Sequence, residues 1–164
     1  MRACEFLREA GEDLSSLAEA CESWVELWHD PEDIKLILSH PFSQQFKQSP
    51  SSTIYRSVFY SYKKFKQTGK AKVQAQPEFF IAYSWSPKWG GADAREDFDY
   101  DGDIIRFKKT LNPKDLLLNF TALVRGLQKQ GYATNIPDES ELWIKADPYY
   151  LNFNESEFVD VDLG

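Results

Sequence analysis

The first 40 residues carry apolar side chains at Leu14, Leu17, Ala18, Cys21, Trp24, Val25 and Trp28, three or four positions apart with polar residues between them. Such a stripe covers one face of an α-helix, so a helix is expected here, with Gly11 breaking or ending an earlier turn. Asp30, Pro31, Glu32 and Asp33 then read as an N-cap, a proline at the first helical position and an acidic first turn. They open a second helix through Ile34, Leu36, Ile37 and Leu38, which His40-Pro41 stops. The polar segment Gln48-Ser49-Pro50-Ser51-Ser52 has no periodicity and is the best candidate boundary in the chain.

Beyond that segment the pattern shortens to β-type runs at residues 53–60, 79–84, 104–108, 142–145 and 149–153. Between them, 63–72 reads as a lysine-rich link and 92–98 as a short helix. The stretch 113–130 reads as helical, capped at Asn112-Pro113, with Ala122, Leu123, Val124 and Leu127 at helical spacing. No internal repeat is visible. The expectation is an α+β chain in which a helical segment, 1–50, precedes a strand-rich body, 51–164, within one domain.

Composition narrows the class. The chain has 164 residues, 42% of them hydrophobic and 15% aromatic, which is enough material for a real core and excludes a disordered chain. The longest apolar run near the middle, 79–83, falls far short of the roughly 20 residues a membrane-spanning helix needs. The opening Met1-Arg2-Ala3-Cys4-Glu5 places a glutamate where a secretory signal needs its apolar segment. A cytoplasmic protein is expected, or one delivered to a target cell without a cleavable signal. Cys4 and Cys21 fall on different helical faces and read as small buried hydrophobes rather than a disulfide. His29 and His40, without any Cys-x-x-Cys or His-x-x-x-His spacing, give no zinc or iron site, so no metal is expected.

Charge is arranged in blocks. Residues 1–46 carry 3 basic and 10 acidic groups, 47–76 carry 7 and none, 77–103 carry 2 and 7, 104–130 carry 6 and 1, and 131–164 carry 1 and 8. Alternation of this kind fits complementary surfaces that meet within the fold or across a partner, although solvated faces are the commoner explanation of any charge run. The net charge of −7 disfavours diffuse binding to a nucleic acid backbone.

Three short motifs carry the candidate chemistry. In Ile54-Tyr55-Arg56-Ser57, strand alternation puts Arg56 on the face opposite Tyr55 and Ser57, where its planar fork suits a phosphate or a carboxylate, although by itself the motif better fits an arginine whose stem packs and whose head pairs with a surface carboxylate. Tyr83-Ser84-Trp85-Ser86-Pro87 ends an apolar strand with Ser84 and Ser86 on one face, a pattern that also serves an ordinary turn. Glu139-Ser140-Glu141 opens a late strand with two carboxylates on one face, an arrangement that tends to raise one pKa but that exposed strand edges also show.

In this order and company, with an arginine on an early strand, Ser-x-Ser ending a middle strand and Glu-x-Glu opening a late strand, the motifs resemble the mono-ADP-ribosyltransferase family, whose arginine class is defined by this triplet. The resemblance covers residues 54 to 153, leaves out 1–50, and is similar to what some bacterial and phage-like members carry. Ala92 and Ala94 after Ser-x-Ser, the strand Ile104-Ile105-Arg106-Phe107 before an Asn-Pro turn, and an aromatic strand after the glutamates also match. Ser57 stands where members often have glycine, Trp85 where they often have threonine, and the acidic run from Asp93 to Asp103 has no counterpart.

The resemblance implies a split, mixed β-sheet core and NAD as the substrate, broken at the nicotinamide–ribose bond through an oxocarbenium-like transition state. It implies that Glu141 stabilises that charge, that Arg56 and Tyr55 belong to the NAD site, that Ser84 orients Glu141 and the ribose, and that Ser86 plays the lesser part. Glu139 would serve the incoming acceptor, a macromolecule modified on a protein arginine, and the chain would act as a toxin, effector or phage-borne modifier. Two other readings stand beside it: a noncatalytic member of the fold that serves as an interaction module, and a nucleic-acid-binding domain that uses the basic aromatic patch from Tyr60 to Lys72.

Overall fold

The computed structural model describes residues 11–27, 30–49, 51–74, 83–85, 101–137, 140–145 and 150–164. The expected stripe forms helix α1 (Gly11–Leu27), with Leu14, Leu17, Ala18, Cys21 and Trp24 buried. The residues before Gly11, where an earlier turn is expected to break or end, lie outside the described residues. Helix α2 (Pro31–Ser39) starts as its sequence requires: the Asp30 carboxylate accepts the Glu32 amide at 2.9 Å, with proline in the first turn. His40, held extended before Pro41, ends it and then accepts the Phe42 amide on Nδ1 at 3.1 Å, capping a 3-10 turn (Pro41–Gln45).

Strand β1 (Thr53–Phe59) follows, and the lysine-rich stretch read as a link folds into helix α3 (Tyr62–Thr68) and strand β2 (Lys70–Gln74). The Ser61 hydroxyl accepts the Lys64 amide, Phe65 is buried, and Gly69 takes the left-handed C-cap at φ 71°. Strands β3 (Tyr83–Trp85) and β4 (Ile104–Thr110) come next. The region read as one helix from Pro113 divides into a 3-10 turn (Pro113–Asp115), strand β5 (Leu116–Asn119) and helix α4 (Phe120–Lys129). Asn112 caps only the turn, whereas Asn119 caps the helix by accepting the Ala122 amide at 3.0 Å. Strands β6 (Leu142–Ile144) and β7 (Tyr150–Asn154) lie where β-type runs are expected; β8 (Phe158–Asp162), an acidic strand after a 3-10 turn, is an addition. The helix expected at 92–98, the strand residues 79–82 and Cys4 lie outside the described residues.

The class is α+β. Strands form three groups, β1-β4-β8, β2-β7 and β3-β6-β5, and every described pairing is antiparallel, where the family resemblance implies a mixed sheet. Two hydrophobic clusters hold them. The first joins α1, α2 and Phe42 to Leu118, α4 and Trp143. The second lies between the sheets and contains Ile54, Val58, Phe65, Ile105, Phe107, Leu142, Ile144 and Phe153. The helical segment is therefore packed into the strand-rich body and shares a core with it across the polar segment 48–52. That segment is tied down on both sides, since Asn119 Nδ2 donates to the Gln48 carbonyl and the Leu111 amide donates to that of Ser52.

Two charge blocks meet within the fold: Arg106 pairs with Asp160 at 2.9 Å and Lys109 with Glu157 at 3.3 Å, joining the basic block 104–130 to the acidic block 131–164.

Candidate active site

Strand β6 is three residues long and buried throughout, so it has a core on each face. Alternation sends Trp143 to the first cluster and Leu142 and Ile144 to the second. Glu141, two residues before Trp143, therefore turns toward the helices. Just before it, Ser140 sits at φ 56°, a left-handed conformation that costs a non-glycine residue of order 1–3 kcal/mol and sets the angle at which the chain enters the strand.

Three elements hold Glu141. Its amide donates to Thr121 Oγ1 at 2.7 Å and its carbonyl accepts the Thr121 amide at 3.3 Å, which binds its backbone to the first turn of α4. Its Oε2 accepts the indole N–H of Trp24 from α1 at 3.1 Å and that of Trp143 at 3.3 Å. Trp143 is itself clamped, stacked on Phe120 with centroids 5.4 Å apart and tilted against Trp24 at 4.8 Å. The half-buried carboxylate lines a cavity of about 50 Å³ with Val25, Thr121, Arg125, Gln128 and Ile136. That volume takes a few waters, well below the roughly 300 Å³ at the small end of sites that enclose an organic ligand.

Cys21 lies nearby and is no nucleophile. Burial, then the carboxylates of Glu141, Glu22 and Asp33, push its thiol well above the ordinary value of 9.0, so it stays protonated and inert.

Arg56 occupies the middle of β1. Ile54 and Val58, its neighbours in alternation, are buried in the second cluster, so Arg56 shares their face and Tyr55 and Ser57 take the other, as expected. Its cross-strand partner is Phe107. Ser84 lies on β3, whose backbone pairs with β6 so that Ser84 stands opposite Trp143 and Trp85 opposite Leu142. Strand β3 also lies against β1. The three motif strands are thus neighbours, with the Ser-x-Ser strand between the arginine strand and the glutamate strand. The side chains of Arg56 and Glu141 do not share the described cavity: Glu141 faces the first cluster, while Arg56 lies on the face of β1 that borders the second. Ser86 and Glu139 lie outside the described residues.

Sequence reasoning missed Trp24, Thr121 and Trp143. Trp24 is indistinguishable from any other member of its apolar stripe, and Thr121 is a polar residue in a helix. Trp143 carried a signal, since two residues after Glu141 on a strand is the same face.

The basic aromatic patch has its rings already engaged. Lys64 lies 5.5 Å over the Tyr60 ring, Lys66 lies 5.5 Å over that of Tyr62, and Tyr62 stacks on Phe158. Base stacking would need those faces open. Among the described residues no helix is long and apolar enough to cross a membrane, and no group of three or more His, Cys, Asp or Glu side chains is arranged to hold a metal ion. No family model, no curated protein and no solved structure matches the chain, so the resemblance to ADP-ribosyltransferases stands on its motifs alone.

Proposed function

We propose that this protein is an NAD-dependent mono-ADP-ribosyltransferase that breaks the nicotinamide–ribose bond and transfers ADP-ribose to a macromolecular acceptor, a protein arginine. The observation that carries the reading is the neighbourhood of the motif strands: β3 with Ser84 pairs with β6, which Glu141 opens, and lies against β1, which bears Arg56. Motifs so far apart in sequence need not become spatial neighbours, and in this fold their strands do.

In this reading Glu141 is the charged group beside the anomeric carbon, and the cavity of about 50 Å³ that it lines has to widen to admit the ribose. An oxocarbenium-like transition state gains positive charge on the sugar, and a carboxylate already oriented by hydrogen bonds stabilises it without reorganising. The two indole donors supply that orientation by holding Oε2. Arg56 serves the phosphates rather than the nicotinamide ribose, because it faces away from the cluster that Glu141 faces. Ser84 orients the ribose, Glu139 helps to deprotonate the acceptor, and Tyr55 and Ser86 complete the cofactor set. No step draws on a metal.

The test is direct: incubate the protein with NAD, with and without arginine-rich acceptor proteins, and measure free nicotinamide and acceptor-bound ADP-ribose. Both should appear with the wild type. Absence of nicotinamide release with every acceptor, and without one, removes the reading.

A further inference from the structure

We propose that Trp24, on helix α1, is a positioning residue for Glu141, so that the helical segment outside the transferase-like region is a working part of the site. This rests on the transferase reading for its consequence in catalysis, though not for the contact itself.

A buried indole is a donor with no acceptor capacity, and burial obliges it to find a partner. Trp24 is only 9% exposed and Trp143 fully buried, and both direct their N–H to the same oxygen of Glu141. Two donors from different elements on one oxygen fix the carboxylate in both torsion and position. Trp143 alone, two residues along the same strand, moves with Glu141 and does not define its place relative to the rest of the molecule. Trp24 belongs to a separate helix, 117 residues away in sequence, and supplies that external reference. Its ring is in turn seated against Trp143 at 4.8 Å, within the cluster that includes Leu17, Cys21 and Leu123. A charge-assisted N–H···O bond is about twice as strong as a neutral one, so this contact has the strength to orient the carboxylate.

A structural role alone predicts that losing the Trp24 N–H affects stability and leaves the chemistry as it was. A positioning role predicts a loss in kcat at unchanged KM, because misplacing a reacting group by a fraction of an ångström costs rate rather than binding.

Trp24→Phe keeps an aromatic ring against Trp143 and removes the donor. NAD cleavage by this variant should show kcat reduced about tenfold or more with KM for NAD close to wild type, beside a thermal midpoint lowered by a few degrees through the lost volume and hydrogen bond. In parallel, the indole 1H–15N resonances of the full chain, assigned through bonds, are compared between wild type and Glu141→Gln. The Trp24 and Trp143 indole protons should move upfield and exchange faster as a charge-assisted bond becomes a neutral one, while the other indoles stay in place. Wild-type kcat in Trp24→Phe, or a Trp24 indole signal indifferent to Glu141→Gln, overturns the proposal. A wild-type protein that releases no nicotinamide removes the transferase reading instead, and the indole spectra then decide by themselves whether Trp24 holds Glu141.

Discussion

The two clusters of this molecule are built from the same kinds of side chain and do different work. The second is a stack of aromatic rings between sheets, with Phe107 against Phe153 at 4.7 Å and Phe65 edge-on to Phe107 at 5.3 Å, and it holds strands together. The first also packs aromatic rings, but two of them carry N–H groups, and it closes around a carboxylate. A core that buries two donors must import an acceptor, whereas a core of phenylalanines needs none. The difference teaches where to look for chemistry: the polar group at Glu141 is the exception in its surroundings, and β6 supports both arrangements because alternate residues face opposite clusters.

Truncating each cluster at its centre gives the largest effects and tests whether the clusters are equivalent as cores. Phe107→Ala and Trp143→Ala should each cost about 3–5 kcal/mol in urea unfolding. Trp143→Ala should also release one of the two donors on Glu141 and depress NAD cleavage, whereas Phe107→Ala in material still folded should leave turnover near wild type. Equal catalytic losses in the two variants would erase the functional distinction between the clusters.

Changing the imported acceptor probes the chemistry with little structural cost. Glu141→Gln retains an oxygen for the two indoles and removes the charge, so NAD cleavage should fall about 10²-fold while the unfolding midpoint stays close to that of the wild type. The matching change at the other cluster, Arg56→Lys, should raise KM for NAD with a smaller effect on kcat, because a lysine keeps the charge and loses the bidentate fork. Wild-type turnover in Glu141→Gln would show that another group stabilises the sugar cation, and an unchanged KM in Arg56→Lys would take Arg56 out of the NAD site.

A backbone position separates the clusters in another way. Gly126 lies in α4 under the Phe46 ring, and a Cβ built there would stand 2.5 Å from Phe46 Cζ. Alanine raises helix propensity by about 1 kcal/mol, but the ring would have to move out of the first cluster, so Gly126→Ala should be destabilising by a net of about 1–3 kcal/mol. Pairing it with Phe46→Leu should recover most of the loss. A stabilised single variant would mean that the ring yields freely and that this cluster is softer than its packing implies.

The fold's helices were legible wherever capping chemistry and an apolar stripe agreed, as at Asp30-Pro31 and from Leu14 to Trp24. Misreadings came where a local signal had two uses. Asn112-Pro113 is a good helix start and also a good 3-10 turn, and only the burial of Leu116 and Leu118 favours a strand after it. The lysines of 63–72 hid a helix because their charge dominates the pattern, although Ser61 and Gly69 cap it at both ends. At the candidate site, motif order predicts that the side chains of Arg56, Ser84 and Glu141 converge on one cleft, whereas Arg56 and Glu141 do not share the described cavity. Motif order did not fix which cluster each side chain faces, since that depends on the sheets around β1 and β6. The Trp24 donor to Glu141 was invisible because a tryptophan that packs and a tryptophan that also donates have the same spacing.

The smallest effect isolates the first cluster by its titration. Cys21 is the buried thiol there, and burial and the nearby carboxylates raise its pKa above the 9.0 it has in an unfolded chain. Below pH 9 both states keep the proton and Cys21 adds no pH dependence. Above it the unfolded chain releases a proton that the folded chain retains, so the unfolded state is favoured and stability falls by about 1.4 kcal/mol per pH unit from this group alone. Cys21→Ala should therefore flatten the alkaline limb: the stability difference between wild type and variant, measured by urea unfolding at about pH 8 and about pH 10, should shift by about 1.4 kcal/mol in favour of the variant at the higher pH. The second cluster offers a control, since Val58→Ala should cost the same at both pH values. A difference at Cys21 that does not change with pH would mean that the thiol reaches solvent in the folded protein, and with it that the cluster around Glu141 is open rather than closed.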